Sequence, residues 1–140
     1  MRLEEKQVTA YYDPETHILH VAYRNILSPE VSTQFYGWLL AGIMQFPNEI
    51  SQARGSVYDF RAVTQFDNAS LSSTQRDSKI INQQADFSKH PVALLIANPI
   101  QEEYVRLTIA ITPGSNRKRV VYSPEEALAF IEIFHRNRSV

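Results

Sequence analysis

Apolar and polar residues fall in blocks along this chain, and the period of the blocks changes from strand-like to helical and back. Residues 7–12 (QVTAYY) and 17–24 (HILHVAYR) are rich in β-branched and aromatic side chains. Asp13-Pro14-Glu15-Thr16 lies between them, a turn with proline preset at its second position, so the pair predicts an N-terminal hairpin. Ser28-Pro29-Glu30 then supplies a helix cap, a first-turn proline and an acidic residue for the positive helix end. Val31, Phe35, Trp38, Leu39 and Phe46 follow at mostly helical spacing until Pro47-Asn48. A third strand is expected over about 55–61, and a capping box from Ser72 to Gln75 predicts a wet helix over about 73–86. Val92 to Ala97 is an uninterrupted apolar run suited to a strand buried on both faces. Asn98-Pro99 opens a helix with Tyr104, Leu107 and Ile111 on one side, residues 113–116 form a loop, and KRVVY at 118–122 is a short strand with a basic start. Ser123-Pro124-Glu125-Glu126 opens the closing helix, where Ala127, Phe130, Ile131 and Phe134 form one apolar stripe. Residues 136–140 are expected to fray.

The order is ββαβαβαβα, an α/β pattern without linker or repeat, read as a single domain over 1–140. It predicts a mostly parallel five-stranded sheet with an antiparallel N-terminal strand and four helices. If the strands lie in sequential order, right-handed crossovers put the helices on one face. The other face then needs cover. Tyr11, Tyr12, Tyr23, Trp38, Tyr58 and Phe60 exceed what a thin core needs. A homodimer or a ligand-facing sheet surface would use these rings, and the plain alternative is that they complete the monomer core. Gly37 and Gly42 weaken their helix by roughly 1 kcal/mol each and could let another segment come close.

Composition narrows the function. With a net charge of -1, no global field recruits nucleic acid or an anionic membrane. The absence of cysteine excludes disulfides, thiolate catalysis and zinc–thiolate sites. The start, MRLEEKQ, lacks an apolar signal core and no run approaches membrane-spanning length, so stable insertion is not expected and a cytoplasmic location is the default. The excess of two basic residues over 117–140 reads as a solvated tail.

The chemistry-bearing residues are sparse. His17 and His20 are three apart on a predicted strand and point to opposite faces, His90 reads as a surface residue before Pro91, and no metal or cofactor is implied. Gly114-Ser115-Asn116-Arg117 could hold an anion in a turn, though a plain loop is the simpler reading. Asp59 and Asp67 bracket the segment after the third strand, with Arg61 between them. They are either a docking patch at the strand's carboxyl end or a loop held by its own Asp–Arg pair. No substrate pocket or partner base accompanies them, so an enzyme is not expected.

Three stretches carry a family likeness: Asp59-Phe60-Arg61-Ala62-Val63-Thr64-Gln65-Phe66-Asp67, the run Val92 to Ala97, and Arg119 to Phe130. In this order they resemble the SpoIIAA-like fold, shared by STAS domains (anti-sigma factor antagonists and the cytoplasmic ends of sulfate transporters) and by CRAL-TRIO lipid-transfer domains. The resemblance implies a non-enzymatic regulatory domain that acts through contact with a protein partner, at a surface of Asp59, Arg61, Asp67, Asn68 and Ser70. Its lipid-transfer branch implies the alternative, a carrier of a lipid-like apolar ligand. In one respect the chain departs from the antagonists. They carry a phosphorylatable Ser or Thr just after the second Asp, and here Asn68-Ala69 follows Asp67. Phosphorylation of the antagonist kind is therefore not expected, with Ser70 the nearest substitute.

Overall fold

The hairpin, the proline-marked helix starts and the buried strand all form in the computed structural model, which describes residues 1–138. Its elements are β1 (Arg2–Glu4), β2 (Val8–Asp13), β3 (Ile18–Leu27), α1 (Pro29–Gln45), α2 (Pro47–Gln52), β4 (Gly55–Phe66), α3 (Ala69–Gln84), β5 (Val92–Leu95), α4 (Pro99–Ile111), a 3₁₀ turn (Ser115–Arg117), β6 (Lys118–Val121) and α5 (Pro124–Arg138). The strands form one sheet in sequential order, with β2 antiparallel to its neighbours β1 and β3, and β3 to β6 parallel. Of the stretch expected to fray, residues 136–138 are helical and the rest lies outside the described residues.

The three proline starts are capped as their sequences imply. Ser28 Oγ accepts the amide of Val31, Asn98 Oδ1 that of Gln101, and Ser123 Oγ that of Glu126. Elsewhere the structure adds to or corrects the pattern. β1 is too short and too charged to show a period, as sheet-edge strands often are. Pro47 ends α1 and also opens the six-residue α2. β4 runs five residues past its expected end, because Ala62, Val63, Gln65 and Phe66 pair with β3 across two register shifts, one of them after Asn25 with φ 63°. α3 begins at Ala69, four residues early. Asp67 Oδ1 accepts the Ala69 amide there, and Ser72 is an exposed first-turn residue, not the cap.

The helices do not all share a face. α1, α3 and α4 are crossovers between parallel strands and lie together over Val8, Ala10, Leu19, Val21, Tyr23, Phe60, Val92 and Leu94. α5 follows the last strand and joins it to no other, so crossover handedness does not bind it. It packs Ala127, Phe130 and Ile131 onto Ile18, Val57, Ala93, Leu95 and Val121 on the opposite face. Gly55 makes this approach close: a β-carbon there would lie 2.9 Å from the Pro91 carbonyl and 3.1 Å from Ile131. At Gly42 the incoming group is a side chain, that of Met1, while Gly37 faces open space. The β1–β3 end of the second face remains open, with Tyr11 stacked on His20 at 5.0 Å.

Candidate functional site

Alternation along β2, β3 and β4 turns Tyr12, Leu19, Tyr23, Ser56, Tyr58 and Phe60 toward the three crossover helices. Opposite them stand Ser32, Tyr36 and Leu39 of α1, Thr74, Ser78 and Ile81 of α3, and Tyr104 and Thr108 of α4. These side chains line a partly open cavity of about 110 Å³ between sheet and helices. That is room for more than a single water. Four of the six surplus rings line it, which accounts for Tyr12, Tyr23, Tyr58 and Phe60. Of the others, Trp38 donates its indole N–H to the Arg2 carbonyl and Tyr11 lies on the open face.

The helix walls are rich in hydroxyls. Ser70, Thr74, Ser78 and Ile81 recur at helical spacing on α3, so the side expected to be wet instead faces the interior. The hydroxyls satisfy one another: Ser32 Oγ meets Thr74 Oγ1 at 3.0 Å, and Ser70 Oγ meets the Tyr104 hydroxyl. Burial pushes the Tyr23 and Tyr36 phenols well up and that of Tyr58 to about 12, so all three stay neutral donors at any physiological pH.

One end of the cavity is cationic. It lies at the amino ends of β4, β5 and β6, where Ser56, Val92 and Lys118 are register partners. Arg117 is only 6% exposed; its guanidinium donates to the His90 carbonyl at 3.2 Å and to Asn82 Oδ1 at 3.3 Å. It occupies the space that a β-carbon at Gly114 (φ 82°) would fill, so the Gly-Ser-Asn-Arg turn is built to fold an arginine inward. Lys118 Nζ donates to Thr112 Oγ1 at 2.7 Å, and burial, then the Arg117 charge, lowers its pKa to about 8. His90 is half-buried, not a free surface residue. Its Nε2 lies 2.6 Å from Ser56 Oγ, and burial and Arg117 push it to about 4, so it is neutral at pH 7. Among the described residues no Asp or Glu lines this cavity, and no group of His, Asp and Glu could hold a metal ion.

The residues singled out in the sequence do not form one patch. Asp59 takes three hydrogen bonds from Arg61: the backbone amide at 2.9 Å and the guanidinium at 3.1 and 3.0 Å. Because 61–66 is strand and not loop, Asp67 lies on the order of 20 Å farther along β4. Asp67, Asn68 and Ser70 gather at the start of α3. Asn68 is exposed, while Ser70 is fully buried and donates to the Asp67 carbonyl at 2.6 Å. His17 sits at φ 60° in the hairpin turn, bonded to the Tyr12 hydroxyl at 2.7 Å, and is not in the strand. Of this cationic end, the sequence pattern offers Arg117 only within a turn that could hold an anion, reads His90 as a surface residue, and does not single out Lys118. A signal was present in KRVVY, since period-two alternation must turn one of two adjacent basic residues inward.

No family model matches the chain, and no curated protein matches it in sequence. Among solved structures it is similar to an uncharacterized protein of the DUF3478 family with a SpoIIAA-like fold, from Shewanella loihica PV-4. The TM-score is 0.59 at 14% identity, covering 94% of this chain and 98% of that chain. The six-stranded α/β arrangement described above is a SpoIIAA-like fold.

Proposed function

We propose that this chain is a non-enzymatic STAS-like binding domain that holds a small, largely apolar ligand between its sheet and its three crossover helices. The observation that carries this is the cavity itself, partly open and lined mostly by aliphatic and aromatic side chains, with polar groups converging on it. The aromatic surplus favours a ligand over a homodimer, since four of the six rings face this space. Chemistry is disfavoured: His90 is a neutral imidazole tied to Ser56, and no carboxylate stands beside it to serve as acid or base.

Regulation through a protein partner is the second reading. What favours it is Tyr104, which lines the cavity and also bonds Ser70 at the first turn of α3. A ligand that moves Tyr104 would move the exposed Asp67-Asn68 corner that the STAS resemblance marks as a contact surface. Asp59 and Arg61 would belong to a separate part of such a surface.

The test is calorimetric titration of the purified protein with 1-octanol, a neutral apolar probe, and with a Leu94→Trp variant in which the added ring fills the cavity. Saturable binding to the natural chain, lost in the filled variant while its far-UV spectrum is kept, supports the ligand reading. Equal heats for both proteins would refute it.

A further inference from the structure

We infer that the ligand of this cavity carries an oxyanionic head, a carboxylate or a phosphate ester, held at the Arg117–Lys118 end with its apolar body inward. This rests on the ligand-binding reading above and adds the chemical class.

Two adjacent cations line one end of this largely apolar cavity, and among the described residues no carboxylate shares that lining. Of the five ion pairs among the described residues, none includes Arg117 or Lys118. The cavity lining contains neither Asp nor Glu, although the chain has 15 acidic residues to draw on. Buried charges are ordinarily paired, because an unpaired one loses its hydration for nothing. The hydrogen bonds made here do not use up the donors. A guanidinium has five N–H groups and an ammonium three. Arg117 spends two on the His90 carbonyl and Asn82, and Lys118 one on Thr112. The low pKa of Lys118 has the same origin, burial beside another cation.

The position of these groups also suits a head. A shallower outer pocket of about 250 Å³, bordered by Ala85, Phe87, Gly114 and Asn116, shares Asn82, Phe87 and Arg117 with the cavity. Asp86 borders it too, its carboxylate already accepting the Ser88 amide at 2.9 Å. Arg117 therefore stands where interior and exterior meet, the place an amphiphile puts its charged end. Its planar fork matches the oxygens of carboxylate and phosphate alike, with Lys118 as an adjacent point charge.

The experiment compares octanoate and octyl phosphate with 1-octanol, which differ in the head and share the chain, by titration calorimetry at pH 7. Octanoate, octyl phosphate or both should bind about tenfold or more tighter than octanol, a charge-assisted hydrogen bond's worth. The tighter of the two identifies the head. Lys118→Met should erase most of that preference and change octanol affinity less than about threefold. Arg117→Met should do the same if it folds, and Lys118→Met keeps the test decisive if it does not. Octanol binding as tightly as both anions would overturn the oxyanion and leave the cavity reading standing. No binding of any of the three would overturn both. Anion preference undiminished in Lys118→Met and Arg117→Met would place the head elsewhere and refute the assignment.

Discussion

Protonation of His90 should make the fold measurably acid-sensitive well above the carboxylate range. The imidazole is buried beside the Arg117 guanidinium, and both lower its pKa, from 6.5 to about 4; a hydrogen bond with the Ala53 backbone opposes them only in part. The folded state therefore binds the proton less tightly than the unfolded chain. The stability this contributes is fully present above pH 6.5 and is lost as pH falls toward 4. Integrating between those two values gives a loss of about 2 kcal/mol on going from pH 7 to pH 5. With a urea dependence of about 1–3 kcal/mol per molar, the midpoint should drop by roughly 1 M. His20 is also pushed down by burial and acts in the same direction, so the comparison must be with a His90→Gln variant that retains it. Urea melts of the two proteins at pH 7 and pH 5 isolate the His90 share, and an imidazole NMR titration reads its pKa directly. Equal midpoint shifts in both proteins, or a titration near 6.5, would show that His90 is hydrated and that the cationic end of the cavity is not closed in the way described.

Phe130→Ala should cost about 3–5 kcal/mol, because the ring is 8% exposed and packs beneath Arg119 in the α5 core; an unchanged denaturation midpoint would remove α5 from that core. Gly55→Ala should destabilise by about 1–3 kcal/mol, since the new carbon meets the Pro91 carbonyl and that backbone must shift; a neutral outcome in the same melt would mean that α5 is free to lift.

The parts of this fold legible in the sequence are those where local chemistry and burial agree. Ser-Pro-Glu, Asn-Pro and Ser-Pro-Glu-Glu mark helix starts by capping geometry alone, and Val92 to Leu95 is apolar at every position because both faces are covered. The remainder was hidden for physical reasons. The tail of β4, Arg61 to Gln65, reads as a loop because it is polar, yet it extends past the end of β5. There Gln101, buried in α4, donates to the carbonyls of Arg61 and Val63 in place of a neighbouring strand. The inner face of α3 reads as wet because hydroxyls spaced four apart (Ser70, Thr74, Ser78) look alike on a solvent face and on a hydroxyl-bonded cavity wall. The cationic end depends on Gly114, Arg117 and Lys118 meeting His90 and Asn82 from distant segments, a juxtaposition that no local window contains. The expected working surface, at the carboxyl ends of the strands, is the usual place in open α/β sheets. The charged end of this cavity lies at the amino ends.

Ser70 gives the last prediction, that the protein is not switched by phosphate at the start of α3. Asn68 and Ala69 offer no hydroxyl, which leaves Ser70 as the remaining candidate. The geometry makes Ser70 a poor acceptor. It is 0% exposed, and its single hydroxyl proton goes to the Asp67 carbonyl, so the Tyr104 hydroxyl must be the donor in the bond between them. A kinase could reach this oxygen only after the first turn of α3 had opened. A phosphate placed there would bring nearly two negative charges into a site facing a carbonyl, next to the Asp67 carboxylate. Ser70→Asp is therefore expected to destabilise the fold by several kcal/mol, a large share of the roughly 5–15 kcal/mol a domain has, and not to mimic a regulated state. Ser70→Ala, which only leaves hydroxyl partners unsatisfied, should cost about 1–3 kcal/mol. Thermal melts of the two variants and phosphopeptide mapping of the protein from its own cells make the comparison. A stoichiometric phosphate on Ser70 in folded protein, or a Ser70→Asp variant as stable as the natural chain, would sink the argument and return the α3 start to the antagonist mechanism.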